Sequence, residues 1–72
     1  MDELDTLGLI CPLPVLKARK RLLGMAPGAL LRVFSDDPVA AIDLPHFCRE
    51  AGHELVSHEG HVFVIRRGEH PR

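Results

Sequence analysis

Cysteine is the residue in this sequence best suited to covalent chemistry, and one of the two cysteines stands in a telling place. In the stretch GLICPLPVLKARKRLL, which begins at Gly8, Cys11 is followed by Pro12, Leu13 and Pro14 and then by a basic, helix-like run. A residue before proline is pushed to extended backbone angles, and extended angles are what a helix N-cap needs. Pro12 then fits the first helical position, where its missing N–H would have had no partner anyway. Pro14 also falls within the first turn, although it pushes Leu13 away from helical angles. The spacing therefore predicts Cys11 at the mouth of a stiff helix, with the N–H groups of Leu13 and Val15 facing it. The positive end of a helix favours a thiolate and lowers a cysteine pKa from its usual value of about 8.5. Lys17, one to two turns along, adds attraction. Cys11 would then be a nucleophile framed by Pro12 and Pro14 and presented for docking. The plainer reading is a structural cysteine filling a helix start, since cysteines are often buried and inert.

The other candidate groups are weaker. Cys48 lies between Phe47 and Ala51 on an apolar helical stripe, which suits core packing. There is no CxxC pair, so neither a disulfide framework nor a resolving cysteine two residues from Cys11 is expected. Lys17, Lys20 and Arg21 stand at i, i+3 and i+4 and share a helix face. With Arg19 they suit an acidic protein surface beside the sulfur, or simply a solvated face. His53, His58 and His61 with Glu54 and Glu59 match no strong ligand spacing, so no metal is expected. Asp36 and Asp37 could be paired acids, but helix capping accounts for them more simply. No cofactor is expected.

The elements that must position Cys11 follow from the apolar pattern. Leu4 to Leu9 has strand character, broken by Gly8. Pro12 to Leu23 reads as a helix with Val15, Ala18 and Leu22 on one face, flanked by Leu16 and Leu23, and with Gly24 as its stop. Ala26 to Gly28 is a turn, and Ala29 to Phe34 a buried strand. In SDDP, Asp37 before Pro38 reads as an N-cap with proline at the first helical position. A second helix runs from Val39 to Ala51 and ends at Gly52, with a kink or restart expected near Asp43 because of Pro45. Glu54 to Ser57 and Val62 to Arg67 form a hairpin around His58–His61. The tail GEHPR reads as loose. The order is strand, helix, strand, helix, strand, strand. Right-handed crossovers put both helices on one face, giving an α+β fold, a two-layer α/β sandwich.

Length and composition bound the rest. At 72 residues the chain reads as one domain over 1–72, with its core at about 4–68. The formal net charge of −1 offers no global field for a nucleic acid or a membrane. With no Trp, no Tyr and only three Phe, base stacking is poorly supplied. No apolar run reaches the ~18 residues of a membrane span, and the acidic start MDELDTLG lacks the apolar core of a signal peptide. These features predict a cytoplasmic monomer whose thiol stays reduced.

The chain resembles the TusA/SirA-like family of small sulfur carriers over nearly its whole length. LDTLGLICPLP resembles the family's opening strand and Cys-Pro-x-Pro signature. SDDPVAAIDLPHFCREAGHEL resembles the second-helix segment, and VFVIRRG the last strand. The resemblance implies a βαβαββ sandwich with a mixed four-stranded sheet, and a persulfide carried on Cys11, with Pro12 and Pro14 framing the site. It implies a cysteine desulfurase or rhodanese-like donor and a downstream acceptor protein, in relays ending in thiolated tRNA, molybdenum cofactor or sulfur oxidation. No turnover independent of partners is implied. Ile10 stands where many members have arginine, and Leu13 where the tRNA-thiolation branch tends to have glutamate. Both departures bear on the acceptor rather than on the carrier chemistry. A non-catalytic interaction or regulatory module, and a thiol redox protein, are the alternatives.

Overall fold

Two strands decide the architecture. In β2 (Leu30–Phe34) and β4 (Val62–Arg66), alternate side chains are buried: Leu31 and Val33 on one, Phe63 and Ile65 on the other. That period of two gives the sheet one face for the core. In the computed structural model, which describes residues 1–69, β2 pairs in antiparallel fashion with β4 and in parallel with β1 (Asp2–Asp5). The hairpin partner β3 (Glu54–Glu59) lies beyond β4, so the order is β1-β2-β4-β3. Helices α1 (Leu13–Leu23) and α2 (Ala40–Ala51) complete the βαβαββ sequence. Ala18 and Leu22 of α1 and Ala40, Leu44 and Cys48 of α2 join the four buried sheet residues in one cluster. Both helices therefore cover the same face. The fold is the expected two-layer α+β sandwich with a mixed four-stranded sheet.

Several boundaries differ from the sequence expectation. The first strand ends at Asp5 rather than reaching Leu9. The Asp5 carboxylate accepts the Leu7 N–H at 2.8 Å, a local turn that competes with the strand. Buried Thr6 gives both its N–H and its hydroxyl to the Phe34 carbonyl, at 2.8 and 2.6 Å, and closes the pairing. Pro45 does not interrupt α2. Its cost is one backbone hydrogen bond and a local clash, and the buried stripe Ala40, Leu44, Cys48, Ala51 spans it and holds both halves to the sheet. The hairpin turn is tighter than expected, with Glu59 opposite Val62 and Gly60 at φ +56°. Such two-residue connections suit glycine at the first central position.

Gly68 is not loose. Its N–H donates to His53 Nδ1 at 2.9 Å, and a Cβ there would collide with the Gly52 carbonyl. Arg67 joins the same end of the molecule: its Nε donates to the Leu22 carbonyl, and its backbone pairs with Ala29 and Gly28. Of the rest of the tail expected to be loose, Glu69 is exposed, and residues 70–72 lie outside the described residues. Among the described residues, no helix is long and apolar enough to cross a membrane.

Candidate functional site

Parallel pairing of β1 with β2 sets the site. Each strand runs into a helix, so the β1–α1 and β2–α2 connections leave the sheet at the same edge. The first connection holds Cys11 and the second holds Asp36 and Asp37. Three carboxylates reach across to the cysteine loop. Asp36 Oδ1 accepts the Gly8 N–H at 3.0 Å, and Asp37 Oδ2 accepts the Cys11 N–H at 2.7 Å. Asp43 Oδ2, from the first turn of α2, accepts the Cys11 thiol at 2.8 Å. Asp37 also caps its own loop, its Oδ1 accepting the Val39 N–H and its carbonyl the Ala40 N–H. Asp37 is therefore not the N-cap expected of it, and Pro38 is not the first helical residue: α2 begins at Ala40 with Val39 as N-cap and no side-chain cap, and Asp37 instead closes the turn just before the helix. The same carboxylate also clamps a loop distant in sequence.

Cys11 is exposed, as a docking nucleophile requires. It is not the N-cap of α1. Pro12 occupies that position, with no side-chain cap, and the Cys11–Pro12 peptide is cis. The Leu13 N–H donates to the Ile10 carbonyl at 2.9 Å and is spent inside the loop rather than on the sulfur. Pro14 is buried and anchors the first turn. The expectation of a helix-favoured thiolate is overturned by α2. The hydrogen bond to Asp43 raises the Cys11 pKa above its ordinary value, with desolvation and the charges of Asp43 and Asp37 acting in the same direction. A carboxylate beside a thiol favours the protonated form, because ionisation would set two negative charges together.

The apolar departures at the motif are both open to solvent: Ile10 is 70% and Leu13 42% exposed. Ile42, next to Asp43, is 72% exposed. The sulfur thus sits among carboxylates and bare aliphatic side chains. Lys17, Lys20 and Arg21 share one face as expected, lining a groove of about 370 Å³ with Asp2, Leu4 and Met25. They do not all flank the sulfur. Lys20 and Arg21 are in the last turn of α1, and the helical rise from Leu13 to Lys20 is about 10 Å. Cations there also suit the negative end of the helix. Cys48 is buried in the core cluster, and burial pushes its pKa up to about 11.

The His53, His58, His61 set does not converge. His53 is buried and bonded to Gly68, while His58 lies stacked on Phe63 with ring centroids 4.0 Å apart. No cluster able to hold a metal ion occurs among the described residues.

Comparison with known proteins decides the family. The model of the family described as Sulfurtransferase TusA matches residues 2–67. The chain belongs to the TusA sulfurtransferase family. Among solved structures it is similar to a SirA-like protein from Desulfitobacterium hafniense, at 31% identity and a TM-score of 0.68. That match covers 96% of this chain and all of the other. TusA membership supports a sulfur-carrier role in general terms, exercised with partner proteins. Asp36, Asp37 and Asp43 are what the sequence reading missed as neighbours of Cys11. The signal available was topological: a parallel βαβ unit brings successive strand-to-helix loops to one edge.

Proposed function

We propose that Cys11 carries sulfane sulfur as a persulfide between a donor protein and an acceptor protein in the cytoplasm. The observation that supports this most directly is an exposed thiol on a clamped corner, in a chain of the TusA family. An open corner suits docking into another protein's active site better than turnover of a small substrate. In the loading step, Cys11 Sγ attacks the outer sulfur of a persulfide on the donor. The donor's S–S bond breaks as a new one forms on Cys11. The proton of Cys11 leaves and the donor cysteine departs as a thiol: R–S–SH plus Cys11–SH gives R–SH plus Cys11–S–SH, with no net oxidation. In delivery, an acceptor thiol attacks the outer sulfur of Cys11–S–SH and Cys11 is released as a thiol.

The donor is a cysteine desulfurase or a rhodanese-like protein. The acceptor is a protein of a relay that ends in tRNA thiolation, molybdenum cofactor synthesis or sulfur oxidation. Pro12 and Pro14 support the loop. Lys17, Lys20 and Arg21 contact an acidic partner surface. The carrier works as a monomer, without direct contact to nucleic acid or membrane.

Intact-mass spectrometry after incubation with a desulfurase and cysteine, or with a rhodanese-type donor, tests this. One added sulfur atom is expected on the wild type, removed by dithiothreitol. Cys11→Ser should abolish the adduct and Cys48→Ser should keep it. An adduct confined to Cys48 reverses the site assignment. No adduct on either cysteine favours an interaction module.

A further inference from the structure

The Cys11–Asp43 contact is unexpected in a carrier that must react. A thiol reacts as its thiolate, yet this thiol donates to a carboxylate at 2.8 Å. The arrangement is well supported. Asp43 is half-buried in the first turn of α2, where the positive end of the helix favours a carboxylate. The neighbouring Leu44 is fully buried and fixes that turn to the core. On the other side, Asp37 Oδ2 holds the Cys11 backbone N–H at 2.7 Å. Cys11 is thus held at its sulfur by one element and at its backbone by another, and the charged groups acting on the sulfur are Asp43 of α2 and Asp37 of the β2–α2 loop.

We propose that Asp43 is a positioning residue that latches the empty carrier: its carboxylate holds Cys11 as a hydrogen-bonded thiol, and sulfur loading opens the latch. The second half follows from atom count, and it rests on the persulfide reading above. In Cys11–SH, Sγ has a proton to give. In Cys11–S–SH, Sγ is bonded to carbon and sulfur and has none. Loading therefore removes the donor of this hydrogen bond. The remaining proton is on the outer sulfur, one bond farther out, and once the persulfide ionises there it has nothing to donate and repels the Asp43 carboxylate. Empty and loaded carriers consequently differ at the one spot that partners must read. The latch also limits wasteful reaction of the empty thiol with small electrophiles.

The test has one arm on the thiol and one on the latch. In Asp43→Asn the ultraviolet titration midpoint of Cys11 should fall, and iodoacetamide alkylation at neutral pH should quicken. Each unit of fall gives about tenfold more thiolate, partly offset by lower nucleophilicity, for a net gain of about threefold. Asp43→Glu should keep the midpoint near that of wild type, and circular dichroism checks that both variants fold. An unchanged or slower alkylation of folded Asp43→Asn overturns the proposal. The second arm needs no variant: in wild-type protein with carbon-13-labelled aspartate, capping Cys11 with a methylthio group should shift the Asp43 carboxyl signal. A signal that stays in place also overturns the latch. Neither arm uses a donor protein. Failure of wild type to take sulfur from any donor would instead sink the carrier reading and leave the latch standing as a restraint on a thiol of other use.

Discussion

Cys11 and Cys48 are two cysteines of one chain that both hold their protons more tightly than an ordinary thiol, for different reasons. At Cys11 the largest cause is a hydrogen bond to the Asp43 carboxylate, with desolvation and the charges of Asp43 and Asp37 behind it, on a side chain open to solvent. At Cys48 it is burial in the core beneath α2. The first restraint is removable by one proton transfer or one new bond. The second is removable only by opening the fold. A raised thiol pKa is therefore a poor guide to reactivity by itself, because access and the reversibility of the cause matter as much. α2 serves both cysteines: Asp43 turns toward the exposed corner, while Leu44 and Cys48 turn toward the sheet.

The contrast can be broken most directly by alkylation. At neutral pH a thiol of pKa about 11 is ionised to about one part in ten thousand. In native protein, mass mapping should find iodoacetamide on Cys11 alone, with Cys48 at least about a hundredfold slower, since it must wait for opening of the core. In denaturant the two rates should converge. Comparable native rates would mean that α2 does not shield Cys48 as described.

A smaller effect separates the sulfur corner from the basic groove. Reversing Lys20 and Arg21 to glutamate should slow sulfur transfer from the physiological donor several-fold at low salt. The deficit should shrink as salt rises, because charges at an interface rim act mainly through association rate. Iodoacetamide labelling of Cys11 should stay at the wild-type rate, since both residues lie at the far end of α1. Loss of labelling in step with transfer would make the groove part of the sulfur's own environment. No change in either would leave it a solvated face.

The smallest effect concerns the end of the molecule near Gly68. Its backbone N–H can only donate, so His53 Nδ1 must accept, and the ring is neutral with its proton on Nε2. Burial first, and then the Arg67 charge, lower the His53 pKa. The sign follows: the unfolded chain binds this proton more readily, so the contribution is present above about pH 6.5 and is lost as pH falls through the folded value. Urea midpoints should drop modestly below pH 6.5, and His53→Gln should flatten that slope while the alkylation rate of Cys11 stays unchanged. A slope identical in His53→Gln would assign the acid sensitivity elsewhere.

What the sequence determined by itself was the local alphabet of the fold. Glycine stops at Gly24 and Gly52, the alternation in Leu30–Phe34 and Val62–Arg66, and the stripe through Leu44, Cys48 and Ala51 are written in short-range spacing. So are the prolines that set Cys11 apart from a core cysteine. Their physical basis is steric and periodic, and it needs no partner from elsewhere in the chain. The protonation of the sulfur was a different kind of quantity. It depends on Asp43, a residue 32 positions away, and on Asp37, both delivered by the parallel pairing of β1 with β2. Reading the helix mouth alone gave the wrong direction for the thiol, because a carboxylate in direct contact outweighs the partial charge of a helix end. The passage of α2 through Pro45 and the anchoring of Gly68 were decided in the same way. In each, a contact made only in the assembled fold overrode the preference of a few neighbouring residues.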